Sequence, residues 1–299
     1  MLWASAFVGI RAAGEELSPG PLSLVRLVIG ALALGLLCLV RRERMPPRRD
    51  LPGLVVCGLL WFGVYNVALN EAERRVDAGT AAMLVNVGPI LIALLAGLLL
   101  GEGFPRRLLI GCAVAFAGAV VIGLATSEQE VDAGWGAALC LLAAATYAAG
   151  VVIQKPLLTR ASALAVTWGA CTVGALACLP FAPALIDELG RAGEGSVAWA
   201  VYLGVFPTAV GFSTWAYALA RTSAGRMGAT TYLVPPLAIA LGWLLLSETP
   251  PPLALAGGLL CLGGVAITRG ARRPRRVGRD QVRSAPATRD GADAPDPVG

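Results

Sequence analysis

Apolar segments of membrane-spanning length, joined by short polar connections, make up most of the chain. A helix rises about 1.5 Å per residue, so crossing a hydrocarbon core of about 30 Å needs roughly 20 apolar residues. Ten segments approach or reach that length, at residues 2–13, 21–40, 51–70, 78–100, 107–124, 134–154, 163–182, 197–219, 227–246 and 252–268. They lack the alternating pattern of a membrane β-barrel. They therefore predict an all-α polytopic membrane protein with ten transmembrane helices.

The composition agrees with this prediction. Apolar residues make up 57% of the chain and charged residues 14%, and the mean hydropathy is +0.71. A soluble domain has about 25% charged residues. The segments are apolar on all sides, unlike the amphipathic helices of soluble cores. The first one, residues 2–13, reaches only about 20 Å as a helix, so we expect the first transmembrane helix to be truncated at its N-terminal end.

The distribution of basic residues predicts the orientation in the membrane. With a cytoplasmic N-terminus, 19 of the 24 basic residues fall in cytoplasmic loops or the C-terminal tail, and four fall in outer loops. This satisfies the positive-inside rule and predicts that both termini are in the cytoplasm. The Arg-, Ala-, Gly- and Pro-rich composition suggests a bacterial source, so we expect a protein of the bacterial cytoplasmic membrane. Residues 270–299 have the composition of a disordered basic cytoplasmic tail. The net charge of +5 then reflects topology, and no nucleic-acid partner is expected.

The two halves of the chain repeat each other at an offset of 146 residues. In this register LLLGE at 98–102 aligns with LLLSE at 244–248. Identical pairs in the same register are Pro89 and Pro235, Pro105 and Pro251, Gly111 and Gly257, and Gly118 and Gly264. Five spans per copy is an odd number, so the second copy inserts upside down. Residues 1–125 and 134–269 are therefore predicted to be inverted five-helix repeats, which are typical of secondary transporters.

Several motifs resemble the EamA family of the drug/metabolite transporter superfamily. They are Trp3-Ala4-Ser5-Ala6-Phe7, the Ser18-Pro19…Arg26 start of the second segment, the Gly-Pro and Pro-Pro steps of the fourth and ninth segments, and the repeated LLLGE/LLLSE ending. The resemblance covers about residues 1–270, and it departs from the family at Ala4, where Gly is usual. It implies an exporter of amino acids, other small metabolites or drugs.

Prolines inside the segments mark the candidate substrate site. Pro89, Pro235 and Pro236 interrupt the fourth and ninth segments. Broken helices in lipid usually face protein or a wet cavity, and equivalent breaks in two halves point to a transporter site. We therefore expect these three prolines to line a cavity. A packing kink is the alternative.

Polar and aromatic side chains within the segments complete the predicted site. The predicted substrate-binding residues are Trp3, Tyr65, Asn66, Asn86, Tyr147 and Tyr232. Asn86 and Tyr232 match at the 146-residue offset. Trp3 and Tyr147 match at an offset of 144, and the family resemblance suggests that both face the central cavity. Helix–helix hydrogen bonding or bundle packing is the alternative. Four further tryptophans inside the segments are expected to pack or to lie at interfaces: Trp61, Trp168, Trp215 and Trp243.

Charged side chains inside the segments are rare. Arg26 is expected to anchor a helix end or to pair with Glu71 or Glu15, with anion binding as the alternative. Glu102 and Glu248 end the fourth and ninth segments and are expected to have a structural role there. The chain has no histidine and no carboxylate in the middle of a segment. Exchange and facilitated diffusion therefore stay open beside proton antiport.

These observations predict a secondary transporter that moves small metabolites, such as amino-acid-like solutes or drugs, by alternating access, most simply as an exporter. The alternative is a non-transporting structural or regulatory integral membrane protein. No nucleophile–base pair, metal-ligand cluster or phosphate-binding motif predicts an enzyme, and no cofactor or metal is expected. The expected partners are a small-molecule substrate and the lipid bilayer. Glycines in the fifth and tenth segments predict close helix packing, either within the chain or in a homodimer.

Overall fold

The computed structural model describes residues 2–75, 81, 84–126, 135–237, 240 and 251–269, and the regular elements within these ranges are helices. Trp243, Glu248 and the predicted tail lie outside the described residues. The helices are α1 (Leu2–Gly14), α2 (Pro19–Arg41), α3 (Arg48–Ala72), α4 (Gly88–Leu99), α5 (Arg106–Thr126), α6 (Trp135–Leu157), α7 (Ala163–Ala177), α8 (Ala182–Leu189), α9 (Glu194–Arg221), α10 (Ala224–Ala229) and α11 (Pro252–Arg269).

Several of these helices have the length and composition of membrane spans. Five of them, α2, α3, α5, α6 and α9, are long and apolar enough to cross a membrane singly. Helix α7 and the segment Leu179–Leu189 form one further candidate, bent by 48° between them. Helices α4 and α11 are shorter and apolar. The prediction of a helical, multiply spanning chain is confirmed at this level, and the count of ten spans stays a prediction.

Two spans contain a π-helical segment at matching positions. Gly58–Val64 interrupts α3 and Gly204–Gly211 interrupts α9, and the first residues of the two segments are 146 positions apart. Both starting glycines are tightly packed, since a Cβ at Gly58 would lie 2.6 Å from Val173 Cβ and one at Gly204 would lie 2.6 Å from Ile29 Cβ. Such π segments are frequent at functional sites because they turn the following side chains away from the α-helical register.

Helices α5 and α11 pack against each other through facing glycines. A Cβ at Gly111 would lie 2.6 Å from the carbonyl oxygen of Gly264, and one at Gly118 would lie 2.6 Å from that of Gly257. Gly111 corresponds to Gly257 at the 146-residue offset, and Gly118 corresponds to Gly264. The first contact joins Gly111 to Gly264, and the second joins their two counterparts, Gly257 and Gly118. The 146-residue offset thus converts one contact into the other, as a two-fold relation requires. These glycines make an intrachain contact.

Carboxylates tie the ends of helices together. Glu102 accepts hydrogen bonds from the backbone N–H groups of Ala224 (2.6 Å) and Gly225 (3.1 Å) at the start of α10. Glu188 accepts from both the backbone N–H and the hydroxyl of Ser18, which precedes α2. Backbone N–H groups at a helix N-terminus lack intrahelical partners and favour negative charge. Glu102 therefore has the structural role at a helix end that its position in the sequence suggested.

Candidate functional site

Aromatic side chains from both halves of the chain form one connected cluster in the main hydrophobic core. Each ring centroid lies between 4.6 and 6.4 Å from at least one other. Helices α1, α3, α6 and α9 supply the members of this aromatic cluster, which are Trp3, Trp61, Phe62, Tyr65, Tyr147, Phe212 and Trp215. The structure thus brings together three of the predicted site residues, Trp3, Tyr65 and Tyr147.

Two tryptophans that the sequence assigned to packing connect these predicted residues. The ring of Trp215 lies 4.9 Å from that of Trp3 and 6.4 Å from that of Tyr147. The ring of Trp61 lies 5.6 Å from that of Tyr147. Trp61 and Pro207 occupy matching positions at the 146-residue offset, each within a π-helical segment. That correspondence was the available sequence signal for the importance of Trp61.

Two side chains of the cluster, and Gln154 two turns further along α6, carry buried polar atoms without a hydrogen-bond partner among the described residues. They are the indole nitrogen of Trp215, the hydroxyl of Tyr147 and both amide atoms of Gln154. The side chain of Thr231 approaches the Tyr147 hydroxyl without forming a hydrogen bond of good geometry. Gln154 follows Tyr147 by two helical turns on α6, so both residues share one face. Buried polar groups of this kind are costly unless water or a ligand satisfies them.

Trp3 and Asn66 use their side chains to bind carbonyl groups of the two π-helical segments. The indole nitrogen of Trp3 donates to the carbonyl oxygen of Pro207 at 3.3 Å. The amide nitrogen of Asn66 donates to the carbonyl oxygen of Phe62 at 2.8 Å, within its own helix. Asn66 is 2% exposed. The structure therefore shows Asn66 stabilising a helix irregularity, and its predicted role in substrate binding stays a prediction.

The two predicted helix breaks lie next to each other in the bundle. In the first half the helix turns at Asn86 and restarts as α4, with Pro89 in the first turn. In the second half a 3₁₀ turn at Thr230–Leu233 precedes Pro235 and Pro236. The buried Tyr232 donates a hydrogen bond from its hydroxyl to the carbonyl oxygen of Asn86 at 3.0 Å.

The first break also contacts the aromatic cluster. A Cβ at Gly88 would lie 2.8 Å from the ring of Tyr147, so the backbone passes directly over that ring. The prolines explain why the helices are interrupted at these points, since proline lacks the N–H that continues an α-helix. That the prolines, Asn86 and Tyr232 line a substrate cavity stays a prediction.

Arg26 is 5% exposed, and its guanidinium lies inside the bundle. Its Nε donates to the hydroxyl of Thr208 at 3.4 Å, in the middle of the 28-residue helix α9. None of the described ion pairs joins Arg26 to Glu71 or Glu15, so the expected pairing is wrong for both, and Glu71 forms a 2.6 Å ion pair with Arg75 instead. The carboxylate within electrostatic range of Arg26 is Glu73, and Tyr65 is in range as well. Glu73 directly follows the end of α3, two positions after Glu71, and which of the two faces Arg26 is set by the rotation of the helix.

The polar groups of this region suit reversible binding of a solute. They are hydroxyls, amides, indoles, one guanidinium and the carboxylate of Glu73. All seven cysteines are buried and unpaired by disulfides. Across the described part of the chain, no group of three or more His, Cys, Asp and Glu side chains is arranged to hold a metal ion.

An all-helical bundle with interrupted spans and buried polar groups next to an aromatic cluster is typical of membrane transporters. The chain belongs to the EamA-like transporter family, whose profile matches residues 1–124 and again residues 134–270. The resemblance inferred from the motifs is thereby confirmed, and the protein is a multi-pass membrane protein of a transporter family.

Named relatives agree with this assignment. The chain is 38% identical to a "Probable terminal-alkyne amino-acid exporter" of Streptantibioticus cattleyicolor, over 96% of this chain and 95% of the relative. It is 33% identical to an uncharacterized transporter of Bacillus subtilis, over 89% and 87% of the two chains. It is 25% identical to a "Probable amino-acid metabolite efflux pump" of Salmonella typhimurium, over 93% and 95%. A solved crystal structure with 20% identity shares the fold, with a TM-score of 0.72 over 89% of this chain and 93% of that one.

Proposed function

We propose that the protein is a secondary transporter that exports small amino-acid-like solutes across the bacterial cytoplasmic membrane by alternating access. Two relatives that align with nearly the whole chain are named as an amino-acid exporter and an amino-acid metabolite efflux pump. The aromatic cluster suits the side chain of such a solute, and the buried amide, hydroxyl and indole groups suit its polar end.

The proposal includes two inverted repeats, at residues 1–125 and 134–269, with ten spans and both termini in the cytoplasm. One offset of 146 residues relates the two π-helical segments, the two helix breaks and the glycine contacts between α5 and α11. Inverted repeats give a scaffold two equivalent arrangements, one open to each side of the membrane. That symmetry is the physical basis for alternating access here.

The hydrogen bond between Tyr232 and Asn86 is the observation that carries the proposal. It joins the break of one repeat to the break of the other, beside the Tyr147 ring of the aromatic cluster. A solute bound there would contact both repeats, so its binding would respond to their relative movement. Trp3, Tyr65, Tyr147, Asn86 and Tyr232 are the proposed lining residues, joined by Trp61, Trp215 and Gln154.

Flux measurements in proteoliposomes test the function. Vesicles containing the purified protein are loaded with single labelled solutes from a panel of amino acids, nucleosides and drugs, with and without a pH jump. We expect efflux of at least one amino acid above that from protein-free vesicles. If no solute moves, the non-transporting alternative is favoured. If the efflux rate changes with the pH jump, transport is coupled to protons.

A matched pair of tryptophan variants tests the site. Trp215→Phe removes the buried indole N–H and retains an aromatic ring, and we expect it to lower the efflux rate by about tenfold. Trp135→Phe makes the same chemical change at a side chain that is 64% exposed, and we expect an unchanged rate. Equal rates for both variants would argue against this site.

A further inference from the structure

We propose that Arg26 binds the carboxylate of the exported solute. The inference rests on the proposed function and adds to it a binding residue and a chemical requirement, namely a free carboxylate on the substrate. Arg26 is absent from the lining residues named above, because its backbone lies on α2, outside the aromatic cluster.

The hydrogen-bonding capacity of Arg26 is largely unused. A guanidinium has five N–H donors. Within the described part of the chain, the one hydrogen bond of Arg26 runs from Nε to the hydroxyl of Thr208 and is long, at 3.4 Å. A guanidinium that is 5% exposed in a membrane bundle is costly, and none of the ion pairs in the described part of the chain includes Arg26. A carboxylate matches its planar, two-pronged geometry and would fill the unused donors.

The position of Arg26 connects it to the aromatic cluster. Its partner Thr208 follows Pro207, whose carbonyl oxygen accepts the hydrogen bond from Trp3. Thr208 donates its own proton to the carbonyl oxygen of Leu203 at 2.8 Å, so its oxygen presents a lone pair towards Arg26. A solute held at Arg26 by its carboxylate would therefore extend towards the rings of Trp3 and Trp215.

A second path of contacts leads from Arg26 to the cluster through α3. Tyr65 is within electrostatic range of Arg26, and its ring lies 5.9 Å from that of Tyr147. The guanidinium therefore lies near Thr208 and within electrostatic range of Tyr65, which is a member of the aromatic cluster.

The charges around Arg26 favour a zwitterion. Glu73 is within electrostatic range of both Arg26 and Tyr65. The carboxylate of Glu73 partly offsets the charge of the guanidinium. When an amino acid is bound, the solute carboxylate faces Arg26 and the solute ammonium offsets Glu73. A purely anionic solute would instead add an uncompensated negative charge near Glu73.

A competition experiment on the unmodified protein tests the inference. The probes are L-propargylglycine and L-phenylalanine, each as the free acid, the methyl ester and the decarboxylated amine. Each probe competes with a labelled free amino acid for transport in proteoliposomes. We expect each acid to compete at least about tenfold better than its ester or amine, because only the acid offers Arg26 a carboxylate. Equal competition by acid and ester would overturn the carboxylate site and leave the transporter proposal standing. Absence of any flux would overturn both.

Variants of Arg26 connect the preference to this side chain. Arg26→Gln should raise the KM for the acid by about tenfold or more and should reduce the flux of the ester much less. For Arg26→Lys, the KM for the acid should lie between those of the unmodified protein and Arg26→Gln. Arg191→Gln, at a side chain that is 78% exposed, is the matched control. A purely structural Arg26 would lower acid and ester flux equally and would lower the unfolding temperature. If Arg26→Gln does not fold, Arg26→Lys and the acid–ester comparison on the unmodified protein decide.

Discussion

The hydroxyl of Tyr232 donates a hydrogen bond to the backbone carbonyl oxygen of Asn86 at 3.0 Å, and the two residues are 146 positions apart. This separation equals the offset at which the two halves of the sequence align. Each residue lies at the point where its own span is interrupted. The bond therefore joins equivalent positions of the two halves, and a relative movement of the halves would have to stretch or break it.

Removing this bond should destabilise the protein. Tyr232→Phe deletes the hydroxyl that donates to the carbonyl oxygen of Asn86. The free energy of unfolding should fall by about 1 kcal/mol. Thermal unfolding in detergent should show the loss as a lower midpoint. Tyr217→Phe is the control, since Tyr217 is 56% exposed. Equal midpoints for the two variants would contradict the importance of the bond.

A methyl group should not fit at the contact between α5 and α11. A Cβ at Gly118 would lie 2.6 Å from both the nitrogen of Cys261 and the carbonyl oxygen of Gly257. Because both are backbone atoms, Gly118→Ala should separate the helices and cost about 1–3 kcal/mol. Gly263→Ala places a methyl group where nothing lies within 4 Å and should be neutral. The two unfolding midpoints give the comparison, and a stable Gly118→Ala protein would refute this packing.

Loss of the Glu102 carboxylate should loosen the start of α10. Glu102→Ala leaves the N–H groups of Ala224 and Gly225 without their acceptor, at a cost of about 1 kcal/mol. Hydrogen–deuterium exchange of these amides should then be about fivefold faster. Asp187→Ala removes a carboxylate from an exposed ion pair with Arg191 and should leave exchange in α10 unchanged. Unaltered exchange in the Glu102 variant would argue against the cap.

The contribution of Glu16 to stability should depend on pH. Hydrogen bonds from the side chain of Ser196 and the backbone N–H of Gly193 hold the pKa of the Glu16 carboxyl below its ordinary value of 4.5. Because the pKa is lower in the folded protein, this stabilisation is fully present above about pH 4.5. It is lost as the pH falls through the pKa of Glu16 in the folded protein. Glu16→Gln should therefore lower the unfolding midpoint at about pH 7 and have less effect at about pH 4. Glu15→Gln is the neighbouring control, and a pH-independent effect of Glu16→Gln would contradict this.

The C-terminus should report from the cytoplasm, because 19 of the 24 basic residues then lie on the inner side. A fluorescent protein fused after Gly299 should fluoresce, and alkaline phosphatase fused there should be inactive. The same phosphatase inserted after Arg191, in a predicted outer loop, should be active. The opposite pattern would reverse the topology.

The interruptions at Pro89 and Pro235 were predictable because proline removes a backbone donor wherever it stands in a helix. The interruption of α3 at Gly58–Val64 was not, since this segment contains no proline. Its first residue, Gly58, is instead closely packed against Val173, a contact between helices far apart in the sequence. Likewise, Trp61 and Trp215 belong to the aromatic cluster because their helices turn these side chains towards the core. The sequence does not show which face of a helix points to the core when the segment is apolar on all sides.

The sequence by itself determined the helical membrane class, the family and the positions of the helix breaks at Pro89 and Pro235. These follow from local composition and backbone chemistry. Only the tertiary structure decided that Asn66 binds its own helix, that Glu73 rather than Glu71 lies near Arg26, and that Arg26 reaches Thr208 in the middle of α9. Those outcomes depend on which faces of nearly uniform apolar helices meet, and that is set by the packing of the whole bundle.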